Sequence, residues 1–160
     1  YDEKLAETLI RLREEYDVPP EYVPLELTES AFLEDEAGMY RRMESLRERG
    51  FLVSMDDFGT GYSTMNMLKN QTLDEIKIDR EFIRDLEKDK SRIIIRNTIV
   101  MLQQLGVHIV IEGVETEEQK SFLLGCGCTD AQGFLFHRPM PVEAFDALLL
   151  QQECEYDRTK

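Results

Sequence analysis

The chain has 160 residues, enough for one domain with a real core, and 42% hydrophobic and 32% charged residues are ordinary for a globular protein. Its 33 acidic residues outweigh 19 basic ones, for a net charge of −14, which excludes a binder of nucleic-acid polymers through the phosphate backbone. Any anionic ligand must be held by something other than net charge, and a divalent cation is the obvious candidate.

Residues 2–16 carry Leu5, Leu9, Ile10 and Leu12 at near-helical spacing and read as an amphipathic helix. The prolines of PPEYVPLELTES stop that helix, and LEL alternates as a short strand. Residues 34–49 form a second helix with Met39, Met43 and Leu46 on one stripe, closed by Gly50. FLVSM is a strand, and DDFGTGYS follows at its end. A short helix at about 63–69, a strand in DEIKID and a helical region through about 105 come next. VHIVIEG is the clearest strand, rich in β-branched residues. A helix over Glu117–Leu124, a short strand near DAQGF and a final helix in PVEAFDALLLQQ complete the chain. Strand and helix alternate throughout, the pattern of a parallel α/β sheet.

Side chains alternate faces along a strand. Leu25 and Leu27 oppose Glu26 and Thr28, while Ile76 and Ile78 oppose Lys77 and Asp79. Ile109 and Ile111 oppose His108, Val110 and Glu112. Alternation puts Asp56 with Leu52 and Ser54, and Asp57 with the apolar Val53 and Met55. Glu26, Asp56, Asp57, Lys77 and Glu112 thus fall near the carboxyl ends of four strands, where parallel sheets and barrels place ligand sites. Singly, each reads as a strand-end cap, a turn residue or a surface ion pair. Four strand ends together favour a carboxylate-rich oxygen site for Mg²⁺ or Mn²⁺, which suits phosphoryl transfer with two metals. Gly59, Thr60 and Gly61 let the following loop bend past it.

Cys126, Cys128 and Cys154 are odd in number and lack C-x-x-C spacing, so reduced thiols are expected rather than disulfides or a zinc site. His108 and His137 read as structural. No apolar run reaches membrane-span length, and the N-terminal residues do not form a signal peptide, so a cytoplasmic protein is expected.

ELTES (26–30), DDFGTGYS (56–63), IKIDREFI (76–83), EGVET (112–116) and QGFLF with RPMP (132–141) occur in this order across nearly the whole chain. Together they resemble the EAL family, the metal-dependent phosphodiesterases of cyclic di-GMP. The resemblance implies a TIM-type (β/α)8 barrel and hydrolysis of cyclic di-GMP to pGpG in bacterial signalling. It implies metal ligation by Glu26, Asp56 and Asp57, a hydrolytic water held by Lys77, and Glu112 as general base or second-site ligand. Glu29 matches a glutamate that steadies the DDFGTGYS loop, and Glu115 and Gln132 match further site-lining positions. That loop often contributes to dimerisation, so a homodimer through it or through an open sheet edge is expected.

The chain departs from the family in lacking the E-A-L segment with its metal-ligand glutamate, and the strand with a metal-ligand asparagine. A full barrel needs about 250 residues. Residues 1–160 are therefore expected to be the C-terminal part of a single EAL domain, an incomplete barrel inactive alone, on a parent chain that can carry regulatory domains. A non-catalytic cyclic di-GMP sensor and a protein-interaction scaffold are the alternatives.

Overall fold

A computed structural model describes residues 3–28, 36–59, 68–69 and 73–158. In chain order the elements are α1 (Glu3–Glu15), β1 (Leu25–Thr28), α2 (Glu36–Arg47), β2 (Val53–Phe58), β3 (Glu75–Ile78), α3 (Arg80–Ile83), α4 (Asp89–Gln104), β4 (His108–Ile111), α5 (Glu117–Gly125), β5 (Asp130–Ala131) and α6 (Val142–Arg158). A single 3-10 turn at Pro20–Tyr22 joins α1 to β1. The helical region expected through about 105 consists of α3 and α4, and most of the helix expected at 63–69 lies outside the described residues.

The strands form one five-stranded sheet in the order β1-β2-β3-β4-β5, every pair parallel. Parallel neighbours need a crossover, and the intervening helices supply it. On one face Val53, Met55, Ile76, Ile78, Ile109 and Ile111 pack beneath Met39 and Met43 of α2, Ile95, Ile99 and Leu102 of α4, and Phe122 and Leu123 of α5. Each such side chain, when fully buried, contributes about 2 kcal/mol. Exposed pairs such as Arg84 with Glu81 contribute under about 1 kcal/mol each. The apolar face therefore holds the fold, which leaves the other face free to be polar.

The helix α1 buries less than its pattern suggests: Leu9 and Ile10 are half-buried and Leu12 is exposed. Its Ala6, Glu7 and Ile10 line a cleft together with Arg41, Arg42 and Ser45 of α2.

Strict alternation fails at one position. Met55 pairs with Ile76 but Phe58 pairs with Ile78, so β2 spends three steps where β3 spends two. The extra residue is a bulge. Asp57 sits in the left-handed region at φ 57°, and Phe58 takes the buried place that alternation assigns to Asp57. The strand expected to end before the aspartates instead continues through both, and the bulge spares the second carboxylate a place in the core.

Asp74 clamps three elements. Its carboxylate accepts from Arg47 Nε at 3.1 Å and Nη2 at 2.8 Å, and from the Val53 backbone N–H at 2.9 Å. Its backbone N–H donates to Val53 O, and its carbonyl accepts from His108 N–H. Hydrogen bonds involving charged partners contribute about 1.5–3 kcal/mol. Asp74→Ala is expected to destabilise the chain by about 2 kcal/mol in urea unfolding, whereas Arg47→Ala, which leaves the Val53 bond intact, is expected to cost less.

Candidate active site on the polar face of the sheet

The face opposite the helices carries two polar rows. In the lower one, Ser54 Oγ donates to Glu75 Oε1 at 3.0 Å, and Glu75 Oε2 lies 3.0 Å from His108 Nδ1. His108 Nε2 lies 3.3 Å from Asp130 Oδ2, which also accepts from Thr129 Oγ1 at 2.8 Å. Both ring nitrogens thus face carboxylates, one on each neighbouring strand. The imidazole tethers β4 to β3 and β5, a structural role as expected for it.

The upper row lies toward the carboxyl ends. Lys77 Nζ forms an ion pair with Glu26 and lies 3.3 Å from Glu112 Oε1. Gln132 Nε2 donates to that same Glu112 oxygen. Asp56 Oδ1 accepts from the backbone N–H of Asp57 at 3.0 Å. The structure thus brings together Glu26, Asp56, Asp57, Lys77, Glu112 and Gln132 from all five strands or their ends. Glu29, Thr60 and Gly61 lie outside the described residues, as does the Cys154 side chain. Cys126 and Cys128 are buried free thiols.

Burial pulls the Lys77 ammonium down, but the hydrogen bond and charge of Glu26, joined by Glu112, overcome this and leave its pKa above the usual lysine value. Lys77 is therefore a cation at neutral pH, a donor and not a base. Burial pushes the Glu112 carboxyl up; Lys77 opposes that shift, and Asp56 and Glu26 add to it. Asp57 is raised by burial, then by the charges of Asp56 and Asp79.

A cleft of about 620 Å³ adjoins Glu112. Asp79, Glu115, Gln132 and Gly133 line it beside Phe134, His137 and Arg138, and Phe145 and Leu148 of α6 form an apolar wall. The Arg138 guanidinium lies 4.2 Å from the centre of the Phe134 ring. Gly133 is required here because a Cβ would stand 2.2 Å from the Val114 carbonyl oxygen. That close approach lets Val114 N–H donate to Gln132 O at 3.0 Å, which fixes Gln132 beside Glu112. Glu115 is held through its backbone N–H by Gln119 Oε1, part of the capping box that Thr116 and Gln119 make at the start of α5.

Sequence reasoning missed Asp79, Arg80, Phe134 and Arg138 as cleft residues, and His137 lines the cleft as well. Asp79 had a signal, since it shares a face with Lys77 two positions earlier. Phe134, His137 and Arg138 follow the last strand in a loop, where periodicity carries no information.

An oxygen-donor set of clustered carboxylates with raised proton affinity suits a hard divalent cation. It is not sufficient by itself: among the described residues no three His, Cys, Asp or Glu side chains are placed to hold one metal ion.

The EAL domain family model matches residues 1–139. The chain belongs to the EAL domain family. It is 38% identical over 142 residues to the cyclic di-GMP phosphodiesterase RocR of Pseudomonas aeruginosa, an alignment covering 88% of this chain and 36% of RocR. The MucR phosphodiesterase of that organism, solved in complex with cyclic di-GMP, superposes with a TM-score of 0.83 at 38% identity over 89% of this chain and 58% of the solved chain, while the curated MucR sequence is covered to 19%. Klebsiella pneumoniae BlrP1, solved with manganese and cyclic di-GMP, gives 0.81 at 31% identity over 87% of this chain and 36% of BlrP1. The chain thus spans 36% of RocR and 19% of MucR, a minor part of these curated relatives' lengths. Its sheet is part of a TIM-type barrel, as expected, and the polar face is the face that such a barrel turns inward. No described helix of the EAL chain is long and apolar enough to cross a membrane.

His108 gives a pH prediction. Burial lowers its pKa, but Glu75 and Asp130 more than reverse this, so the folded value lies above 6.5. A raised folded pKa gives stability that is complete below 6.5 and lost as pH rises through the folded value. Urea midpoints are expected to fall from pH 6 to pH 8.5, and His108→Gln is expected to flatten that fall.

Proposed function

We propose that residues 1–160 are the C-terminal part of one EAL domain that, when whole, hydrolyses cyclic di-GMP to pGpG in cytoplasmic second-messenger signalling. The observation that carries this reading is Lys77 held between Glu26 and Glu112, beside the Asp56–Asp57 pair, with Glu112 also lining the cleft. A polar row of this kind is costly to desolvate and does nothing for the apolar core, so it is best explained by chemistry.

Asp56, Asp57 and Glu26 are the residues here that would each contribute a ligand to Mg²⁺ or Mn²⁺; they do not converge on one ion by themselves and would need ligands from elsewhere in a complete domain. When bound, such a cation offsets phosphodiester charge and acidifies water. The chain's own residues supply the rest. The Lys77 ammonium donates to the attacking water and fixes its direction. Glu112 accepts the proton that the water loses as its oxygen bonds to phosphorus, and its raised proton affinity suits that task. Gln132 and Lys77 both hold Glu112 Oε1, which leaves its second carboxylate oxygen to take the proton. The P–O3′ bond breaks as the water oxygen bonds to phosphorus, the 3′ oxygen leaves with the bonding pair and takes a proton from solvent, and the product keeps a 5′ phosphate. The cleft, with an aromatic ring, an arginine and an apolar wall, suits a purine base stacked beside the phosphodiester.

A second reading is a non-catalytic cyclic di-GMP sensor. It is favoured by the lack of any three described side chains placed to hold one metal. Self-association through the DDFGTGYS loop or the open edges at β1 and β5, and control by regulatory domains of the parent chain, remain part of the proposal.

The two readings separate by chromatography of pGpG. The 160-residue chain alone is expected to form negligible product with Mg²⁺ or Mn²⁺, and the parent protein to form it readily. Lys77→Met in the parent is expected to reduce the rate by about 10²-fold or more. Robust turnover by the isolated chain contradicts the proposal, and nucleotide binding without turnover by the parent selects the sensor.

A further inference from the structure

The Asp56–Asp57 pair sits on a bulge, a place where the strand ladder does not fix side-chain direction, so something else must. After Asp57 in the left-handed region, Phe58 turns into the core and Gly59 returns to positive φ at 98°. At Gly59 the backbone runs close against the ring of Phe82: a Cβ there would stand 2.2 Å from Phe82 Cε2 and 2.6 Å from Cδ2. No side chain fits between them. The strand end is pinned by the buried Phe58 side chain and by the Phe82 ring against Gly59, with Asp57 just before both.

The ring is itself held firmly. Phe82 lies on α3, whose N-cap Asp79 accepts from Glu81 N–H at 2.8 Å and, through its carbonyl, from Phe82 N–H at 3.0 Å. Ile83, the next residue, is fully buried, and its carbonyl accepts from Gln119 Nε2 at 3.3 Å. Phe82 is thus tied to the end of β3 by the cap, to the core by its neighbour, and to α5 by Gln119.

We infer that Phe82 is a positioning residue for the Asp56–Asp57 carboxylates, its ring acting through Gly59 to fix the backbone from which they would reach a divalent cation. This rests on the reading of those aspartates as metal ligands. Phe82 touches no substrate; it sets the backbone path from which the carboxylates project. Removing the ring frees Gly59 and lets the bulge relax, which lowers cation affinity while the core persists.

The test is Mn²⁺-induced broadening of backbone amide NMR signals in the 160-residue chain, which reads weak binding site by site. In the unmodified chain, Mn²⁺ is expected to broaden signals around residues 55–59 and 77–79, and Asp56→Asn to remove that broadening. Phe82→Ala is expected to shift the Mn²⁺ titration at least about tenfold toward higher concentration. Phe122→Ala is the stability control, since it empties a comparable volume on α5 away from the aspartates; it is expected to lower the melting temperature and leave the titration unmoved. Gly59→Ala is expected to weaken binding through collision with the ring, and Phe82→Ala added to it to recover part of the loss. If Asp56→Asn changes nothing, the metal reading itself fails. If Asp56→Asn abolishes broadening but Phe82→Ala titrates like the unmodified chain, or like Phe122→Ala, the positioning role is wrong.

Discussion

Lys77 is a half-buried cation surrounded by acids, and the polar face of this sheet depends on it. Glu26, Asp56 and Glu112 approach one another from β1, β2 and the end of β4, in a chain already carrying a large excess of negative charge. Without a cation among them such carboxylates repel and take up protons. Lys77 meets that requirement while the apolar face is packed by helices, so one four-residue strand, EIKI, serves both the core and the site. Its two isoleucines are fully buried, and its lysine holds the acids together.

Division of labour between the two faces explains how a fold can tolerate so much polarity in its middle. Stability comes from the helix-facing row and from clamps such as Asp74. The upper polar row is then available for chemistry and the lower one, through His108, for binding neighbouring strands together. The same separation explains why the aspartate pair needs a bulge. An unbroken strand would turn the second carboxylate into the core, where an unpaired charge is strongly disfavoured. The bulge removes that conflict at the cost of directional control, and the Phe82–Gly59 contact restores it.

Much of this was legible in the sequence because period-two alternation is a strong signal in short strands. Glu26, Lys77 and Glu112 sit opposite the apolar residues that the pattern assigned to the core, and the order of strands and helices fixed a parallel sheet. Asp57 was misplaced by the same rule, since a bulge is a local decision that alternation cannot register. Asp79 shares Lys77's face but reads as an ordinary helix cap. Phe134, His137 and Arg138 were illegible as a group because a loop after the last strand brings them together, and their meeting depends on the close approach at Gly133. The motif resemblance supplied the family and the roles it implies; the geometry supplies the contacts that make those roles physically reasonable.

NMR titration of the Glu112 carboxyl carbon is the most direct measure of whether these groups form one electrostatic unit. Its pKa is expected to lie above the ordinary 4.5 in the unmodified chain, raised by burial and by Asp56 and Glu26, and to rise further in Lys77→Met when the opposing charge is removed. An ordinary glutamate titration that is indifferent to Lys77 would mean that the acids act separately, and the account of an assembled site would be wrong.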